Sequence, residues 1–254
     1  MGRLTGRTAI ITGGAKGIGV HYADALAGEG AQVMIADIVD GAAVAADICA
    51  RHGQGAADSA IADVSDEASV KALVEKTVKK FGKIDVLVNN AAVFANLPTQ
   101  KVTDIDVKDW DRIMAVNIRG PFLMVKHVVP HMKKAGYGKI VNIGSGTAHK
   151  GLAEFSHYVT TKGAMMAFTR ALSRELGGDK ICVNTLAPGF TISESVMENI
   201  EHHEKWRNVI VAGRAIKREM LPEDLRGAIV FLSSPESDFV TGQTIAVCGG
   251  SINT

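Results

Sequence analysis

Six stretches of the chain are apolar without alternating: Thr8 to Thr12 (TAIIT), Gln32 to Asp37 (QVMIAD), Ile84 to Asn89 (IDVLVN), Lys139 to Gly144 (KIVNIG), Ile181 to Ala187 (ICVNTLA) and Thr244 to Val247 (TIAV). Unbroken apolar runs of this length predict strands buried on both faces, the environment of a parallel sheet covered by helices. The segments between them have helical spacing instead. GIGVHYADALAGEG carries an Ala/Leu-rich face and ends in Gly30, SDEASVKALVEKTVKKFG has Ser65 as its cap and Gly82 as its stop, and the segment after Tyr158 sets Met165, Phe168, Leu172 and Leu176 along one face. Strand and helix alternating this often calls for right-handed crossovers. The expected fold class is therefore α/β, a Rossmann-type doubly wound parallel sheet with helices on both faces. No linker, low-complexity tract or internal repeat divides the chain, so a single domain over residues 1–254 is expected, with residues 190–215 as a helical lid.

Composition narrows the partners. An apolar share of 46% and a charged share of 22% in 254 residues describe an ordinary globular chain able to bury a large core. Lys plus Arg number 28 against 27 Asp plus Glu, and no basic block stands ready to neutralise a run of phosphates, so nucleic acid is not an expected partner. The N-terminal MGRLTGRTAIITGG runs into glycines rather than a cleavage site, and Gly6 stands where a myristoylation signal needs Ser or Thr. No apolar run approaches the roughly 18 residues that span a bilayer. A cytoplasmic protein without membrane contact is expected. Cys49, Cys182 and Cys248 are odd in number and far apart, without a C-x-x-C, which fits small buried hydrophobes better than disulfides or metal ligands. No metal is expected either, because His202 and His203 of ENIEHHEKWR point different ways on a helix.

The chemistry begins in the first strand-to-helix turn, TGGAKGIG from Thr12 to Gly19. One glycine permits the sharp turn, one lets backbone N–H groups approach a pyrophosphate, and one lets the helix pack closely on the sheet; by position these are Gly13, Gly17 and Gly19. Asp37 ends the second strand, where a carboxylate can accept hydrogen bonds from both hydroxyls of an adenosine ribose. The 2′-phosphate of NADP would bring about two negative charges within ~5 Å of it, a repulsion on the order of 2 to 6 kcal/mol. NAD is the expected cofactor. Lys16, inside the turn, argues the other way if it meets a phosphate and is a solvated surface residue if it does not.

YVTTK, from Tyr158 to Lys162, sets a phenol one helical turn before an ammonium, so both can act on a common point. A free phenol titrates near pH 10, and lowering that to about 7 takes roughly 4 kcal/mol of preferential stabilisation of the phenolate.

Taken in order, TGGAKGIG, the Asp63–Val64 pair, NNAA at Asn89 to Ala92, Asn117 in VNIRG, GS at Gly144 and Ser145, YVTTK, APG at Ala187 to Gly189 and TGQTIAVCGG resemble the motifs of the short-chain dehydrogenase/reductase family. The resemblance covers nearly the whole chain. It implies Tyr158 as acid/base, Lys162 as the cation that acidifies the phenol together with oxidised nicotinamide and holds the nicotinamide ribose, Ser145 as the group that bonds the substrate oxygen, and Asn117 as holder of a proton-relay water. It also implies cofactor contacts from Gly13, Lys16, Gly17, Ile18, Gly19, Asp37, Ile38, Asp63, Val64, Asn90, Ala91, Tyr158, Lys162, Pro188, Gly189 and Thr191, with Ser193 able to take the place of Thr191. Ala92, Gly144 and Cys248 depart from common family residues without removing a proton-transferring group. Val20 stands where many NADP-dependent relatives carry Arg, which again favours NAD.

The stretches expected around the reacting carbon supply Phe94, Leu152, Phe155 and Phe190, with Trp206 in the lid: an apolar lining suited to a hydrophobic or aromatic secondary alcohol or ketone. Ser145 and His149 are the polar candidates, while His149 and His157 also read as hydrogen-bonded structural residues. FLMVKHVVPHMK and HYVTTKGAMMAFTRALSRELG are similar to stretches of family members that oxidise 1-phenylethanol-type alcohols with NAD. An NADPH-dependent 3-oxoacyl-carrier-protein-type reductase and a non-catalytic nicotinamide sensor are the alternatives. Family likeness implies a homotetramer.

Overall fold

The computed structural model describes residues 2–94, 97–197 and 207–253. Seven strands, β1 (Thr8–Thr12), β2 (Gln32–Asp37), β3 (Ala57–Ile61), β4 (Val86–Asn89), β5 (Gly138–Ile143), β6 (Ile181–Pro188) and β7 (Thr244–Val247), form one parallel sheet in the order β3-β2-β1-β4-β5-β6-β7. The main helices between them are α1 (Ile18–Gly28), α2 (Ala42–His52), α3 (Glu67–Phe81), α4 (Val107–Met114), α5 (Gly120–Ala135), α6 (Thr147–Lys150) and α7 (Ser156–Leu176), followed by short helices at Glu194–Met197 and Arg226–Ser233.

Consecutive residues of the central strands feed opposite faces, as both-sided burial demands. On β1, Ala9 and Ile11 join the apolar cluster of one face and Ile10 that of the other; Val33 and Ile35 alternate with Met34 and Ala36 on β2, and Val86 and Val88 with Leu87 on β4. Each fully buried Ile, Leu or Val here contributes roughly 1.5–3 kcal/mol.

The unbroken runs locate six of the seven strands, with starts shifted by two residues at β4 and one at β5. β3 has no such run: Asp58 and Ser59 interrupt it because it is the sheet's outer strand, paired only with β2. The cap of α3 also differs from expectation. Asp66, not Ser65, receives the N–H groups of Ala68 and Ser69, while Ser65 donates to the Asp63 carboxylate at 2.7 Å. α1 stops at Gly28, and Gly30 then turns the chain with φ +90°.

From β1 the chain winds outward through β2 and β3, then returns to lay β4 on the other side of β1. This reversal opens a crevice at the carboxyl ends of β1 and β4, the place where such sheets bind ligands. Beside it, α4 runs into α5 through a π-helical segment, Ala115–Arg119, whose wider turn carries the buried Asn117. A polar chain crosses the interior as well: Asn89 donates to Asn142 at 2.9 Å, Asn142 to Thr169 at 2.9 Å, and Thr169 meets Thr185 at 2.7 Å. It pins α7 to β4, β5 and β6 in one register, because an amide or hydroxyl buried here without its partner would be costly.

Candidate active site

The turn between β1 and α1 is built by contacts that only glycine permits. Gly13 and Gly17 have φ of +62° and +56°, and a Cβ on Gly19 would lie 2.0 Å from the carbonyl oxygen of Gly13. α1 starts without a side-chain cap or an acidic residue in its first turn, so no side chain competes with an anion for its leading end. Asn90 shapes the turn from below, its amide donating to the carbonyl oxygens of Thr12 at 2.9 Å and Gly13 at 2.8 Å. Both amide protons are thus committed to the protein, and this side chain shapes the cradle. The Thr12 hydroxyl receives the N–H groups of Asn90 and Ala91, each at 3.1 Å.

Asp37 sits at the rim with one oxygen accepting the Ala15 N–H at 3.0 Å and the other the Val39 N–H at 3.3 Å. Its carboxylate is therefore held in place beside the glycine turn. Ile38 next to it and Lys16 on the turn are exposed, Val64 is buried, and Asp63 accepts from the Ser65 N–H and hydroxyl. These residues and the glycines all lie at or follow the carboxyl ends of β1, β2 and β3.

Over the end of β5 lie Ser145, Tyr158 and Lys162, all buried. Ser145 accepts both the N–H of Thr147, at 3.2 Å, and its hydroxyl, at 2.9 Å. A hydroxyl has two acceptor sites and one proton; with both sites filled, the proton is left to donate, and Ser145 is the group that favours ionisation of the Tyr158 phenol. The sequence reading missed Thr147, whose role follows from the turn after β5 rather than from any motif. Lys162 donates to the Ile143 carbonyl at 2.8 Å, with its Nζ 5.5 Å from the centre of the Tyr158 ring.

Within the polypeptide the Tyr158 phenol is not acidic: burial pushes it well above its ordinary value, only partly offset by the hydrogen bond from Ser145. Lys162, expected to acidify it, is itself lowered by burial to about 8.

Asn117 is tied into the fold around the site. Its side-chain oxygen accepts the Val93 N–H at 2.8 Å, and its amide donates to Val93 O at 3.3 Å and to the Thr161 hydroxyl at 3.2 Å. These bonds make the side chain a clamp between the segment after β4 and α7.

Phe94 and Phe155 form an aromatic wall on Tyr158, with ring centres 4.8 and 5.6 Å away. His149 and Leu152 are exposed and so lie outside this buried wall. His157 is buried, its Nδ1 receiving the Tyr158 N–H at 3.0 Å, which is a structural role.

After β6, Gly189 N–H bonds Val247 O at 2.7 Å, and Thr191 donates its hydroxyl to Gly189 O at 3.1 Å. Arg214, another residue the sequence reading passed over, is buried and donates to the carbonyls of Phe190 and Arg218, holding the chain after Pro188. Trp206, His202 and His203, and the middle of the expected lid, lie outside the described residues. Among the described residues no helix is long and apolar enough to cross a membrane, and no three His, Cys, Asp or Glu gather as metal ligands would.

Known proteins are similar to this chain over nearly its whole length. The family described as Enoyl-(Acyl carrier protein) reductase matches residues 13–251. The chain belongs to the short-chain dehydrogenase/reductase family. Sorbitol dehydrogenase from Cereibacter sphaeroides is 39% identical, over 98% of both chains. The 3-oxoacyl-[acyl-carrier-protein] reductase of Thermotoga maritima is 36% identical, over 98% of this chain and 99% of its own. Among solved structures, the 3-ketoacyl-(acyl-carrier-protein) reductase from Brucella melitensis complexed with NADH superposes with a TM-score of 0.87 at 34% identity, covering 98% of this chain and 100% of that one. This short-chain dehydrogenase/reductase is thus an oxidoreductase of a family that binds a nicotinamide cofactor.

Proposed function

We propose that the protein transfers a hydride between NAD(H) and a hydrophobic or aromatic secondary alcohol or its ketone, with Tyr158 carrying the proton. The observation behind this reading is the buried grouping of Ser145, Tyr158 and Lys162 over the end of β5, with both acceptor sites of the Ser145 hydroxyl filled by Thr147 and an aromatic wall against the Tyr158 ring. Ser145 donates to the substrate oxygen and stabilises the charge that develops there. Tyr158 takes the hydroxyl proton in oxidation and returns it in reduction. When bound, an oxidised nicotinamide supplies a hydride acceptor and a positive charge. Lys162 supplies the second charge from one turn away, and its two N–H groups not given to Ile143 O are free to hold a ribose hydroxyl. The phenol so becomes acidic only in the loaded enzyme.

In this reading Gly13, Gly17, Ile18 and Gly19 line the pyrophosphate site, Asp37 holds the adenosine ribose, Ile38, Asp63 and Val64 flank the adenine, and Ala91, Pro188, Gly189 and Thr191 enclose the nicotinamide. Asn90 contributes by fixing the glycine turn. The preference for NAD rests on Asp37, whose carboxylate is anchored by Ala15 and cannot swing clear of a 2′-phosphate at no cost. A cytoplasmic homotetramer, as in relatives, is the proposed form. The likeness to carrier-protein reductases, with Lys16 exposed on the turn, favours a second reading, an NADPH-dependent 3-oxoacyl reductase.

A panel of secondary alcohols tested at alkaline pH with NAD and NADP separates them. The expected result is reduction of NAD by aryl or alkyl secondary alcohols, with catalytic efficiency at least ~30-fold above that with NADP, from a repulsion of about 2 kcal/mol or more. Equal efficiency with both nucleotides, or turnover confined to NADPH and 3-oxoacyl thioesters, would overturn it. Nicotinamide binding without turnover of any alcohol would favour a sensor.

A further inference from the structure

His21 stands in the first turn of α1, just beyond the glycine turn, and each nitrogen of its half-buried ring faces a carboxylate: Nε2 lies 3.4 Å from Glu194 Oε1 and Nδ1 3.5 Å from Glu223 Oε1. Neither carboxylate belongs to α1. Glu194 opens the short helix Glu194–Met197 that follows Thr191, and Glu223 lies in the single turn Pro222–Leu225 that leads into the helix at Arg226–Ser233. One imidazole thus joins the start of α1 to two segments distant in the chain.

A neutral imidazole has one N–H and one lone pair, so it can donate to one of these carboxylates while turning its lone pair toward the other; only the imidazolium donates to both. Histidine makes this change between about pH 5 and 8. The other charges on the elements packed against α1 are engaged elsewhere: Arg51 and His52 of α2 and Arg226 hold Asp24, Asp47 pairs with Arg51, Asp224 pairs with Arg218, and Asp37 accepts backbone N–H groups. Lys16, on the glycine turn, is exposed. Glu194 and Glu223 are therefore the charges that His21 meets among the described residues. Losing the ring proton leaves two anions on either side of an uncharged group, and Glu194, the more exposed of the two, is the one released.

We propose that His21 is a positioning residue for the nicotinamide end of the site: protonated, it clasps Glu194 and Glu223 together and holds the segment after Thr191 against α1, and neutral, it lets that segment go. The proposal rests on the reading in which Thr191 encloses the nicotinamide. Loosening the segment speeds departure of the nucleotide, a step that often limits turnover.

Stopped-flow release of NADH and of ADP-ribose, which lacks the nicotinamide, tests this on the full chain at pH 5.5 and 7.0, a range below the value of about 8 to which burial lowers Lys162. Wild-type protein is expected to release NADH about three- to fivefold more slowly at pH 5.5 than at 7.0, as two partly exposed ion pairs allow. His21→Ala and, independently, Glu194→Gln are expected to release NADH at pH 5.5 as fast as wild type does at 7.0, with ADP-ribose release unchanged. Retention of the full pH dependence in both variants would overturn the proposal. So would an equal acceleration for both ligands, which would make His21 a support of the glycine turn alone. Wild-type protein that binds neither ligand would overturn the cofactor reading, and the proposal with it.

Discussion

In the proposed reaction the Ser145 hydroxyl serves because Thr147 fills its acceptor sites and leaves it to donate, and the Tyr158 phenol serves by losing a proton that burial alone would keep. These are separable contributions. Tyr158→Phe removes the proton carrier and little else, so turnover is expected to fall at least about 10³-fold while NADH affinity stays near wild type; steady-state rates beside a fluorescence titration check it. Thr147→Val frees a lone pair on Ser145 and lets its proton rotate away, with an expected loss of about tenfold in kcat at nearly unchanged KM for the cofactor. The Tyr158 to Lys162 spacing was legible from helix geometry, as was Ser145 from its family motif. Thr147, Arg214 and the hydrogen bonds that occupy Asn117 were not, because each depends on backbone groups that only the folded loops bring near.

At the scale of elements, α1 and α3 show how local sequence sets a helix start. A Cβ at Gly19 would collide with the Gly13 carbonyl, and a backbone atom cannot retreat as a flexible side chain can. Gly19→Ala is expected to open the turn and weaken NADH and ADP-ribose binding alike by tenfold or more, measured by titration. The α3 start is a matter of stability only. Asp66→Ala frees two N–H groups and should cost about 1 kcal/mol, lowering the melting temperature by roughly 2–4 °C without touching turnover. Ser65 and Asp66 are both good caps on paper. The choice between them turned on Asp63, which engages Ser65 and leaves Asp66 to serve the helix.

For the whole molecule, Asp24 is the point where separate helices meet. It accepts from Arg51 and His52 of α2 and from Arg226, so one buried carboxylate ties α1 to α2 and to the helix at Arg226–Ser233. Burial pushes its pKa up, but the His52 hydrogen bond and the charges of Arg51 and Arg226 prevail and hold it below the usual carboxylate value. A carboxyl lower in the folded than the unfolded state binds fewer protons when folded, so its stabilisation is complete above the unfolded value and lost as pH falls through the folded one. Asp24→Asn is expected to lower the melting temperature at neutral pH by several degrees, from a loss of about 1–3 kcal/mol, and to flatten its decline below about pH 4. Calorimetry across pH would show it, and equal acid sensitivity of the two proteins would sink the assignment.

By itself the order of residues determined the parallel sheet, the strands buried on both faces, the glycine turn and the Tyr158 to Lys162 pair, because apolar runs, glycine sterics and helix periodicity act over a few neighbours. The tertiary structure alone decided that β3 is a strand at the sheet's edge, that Asn90 and Asn117 spend their amides on the protein, and that the Tyr158 phenol is held protonated in the bare polypeptide. Those outcomes depend on burial and on partners distant in the chain, and neither is a property of any short segment.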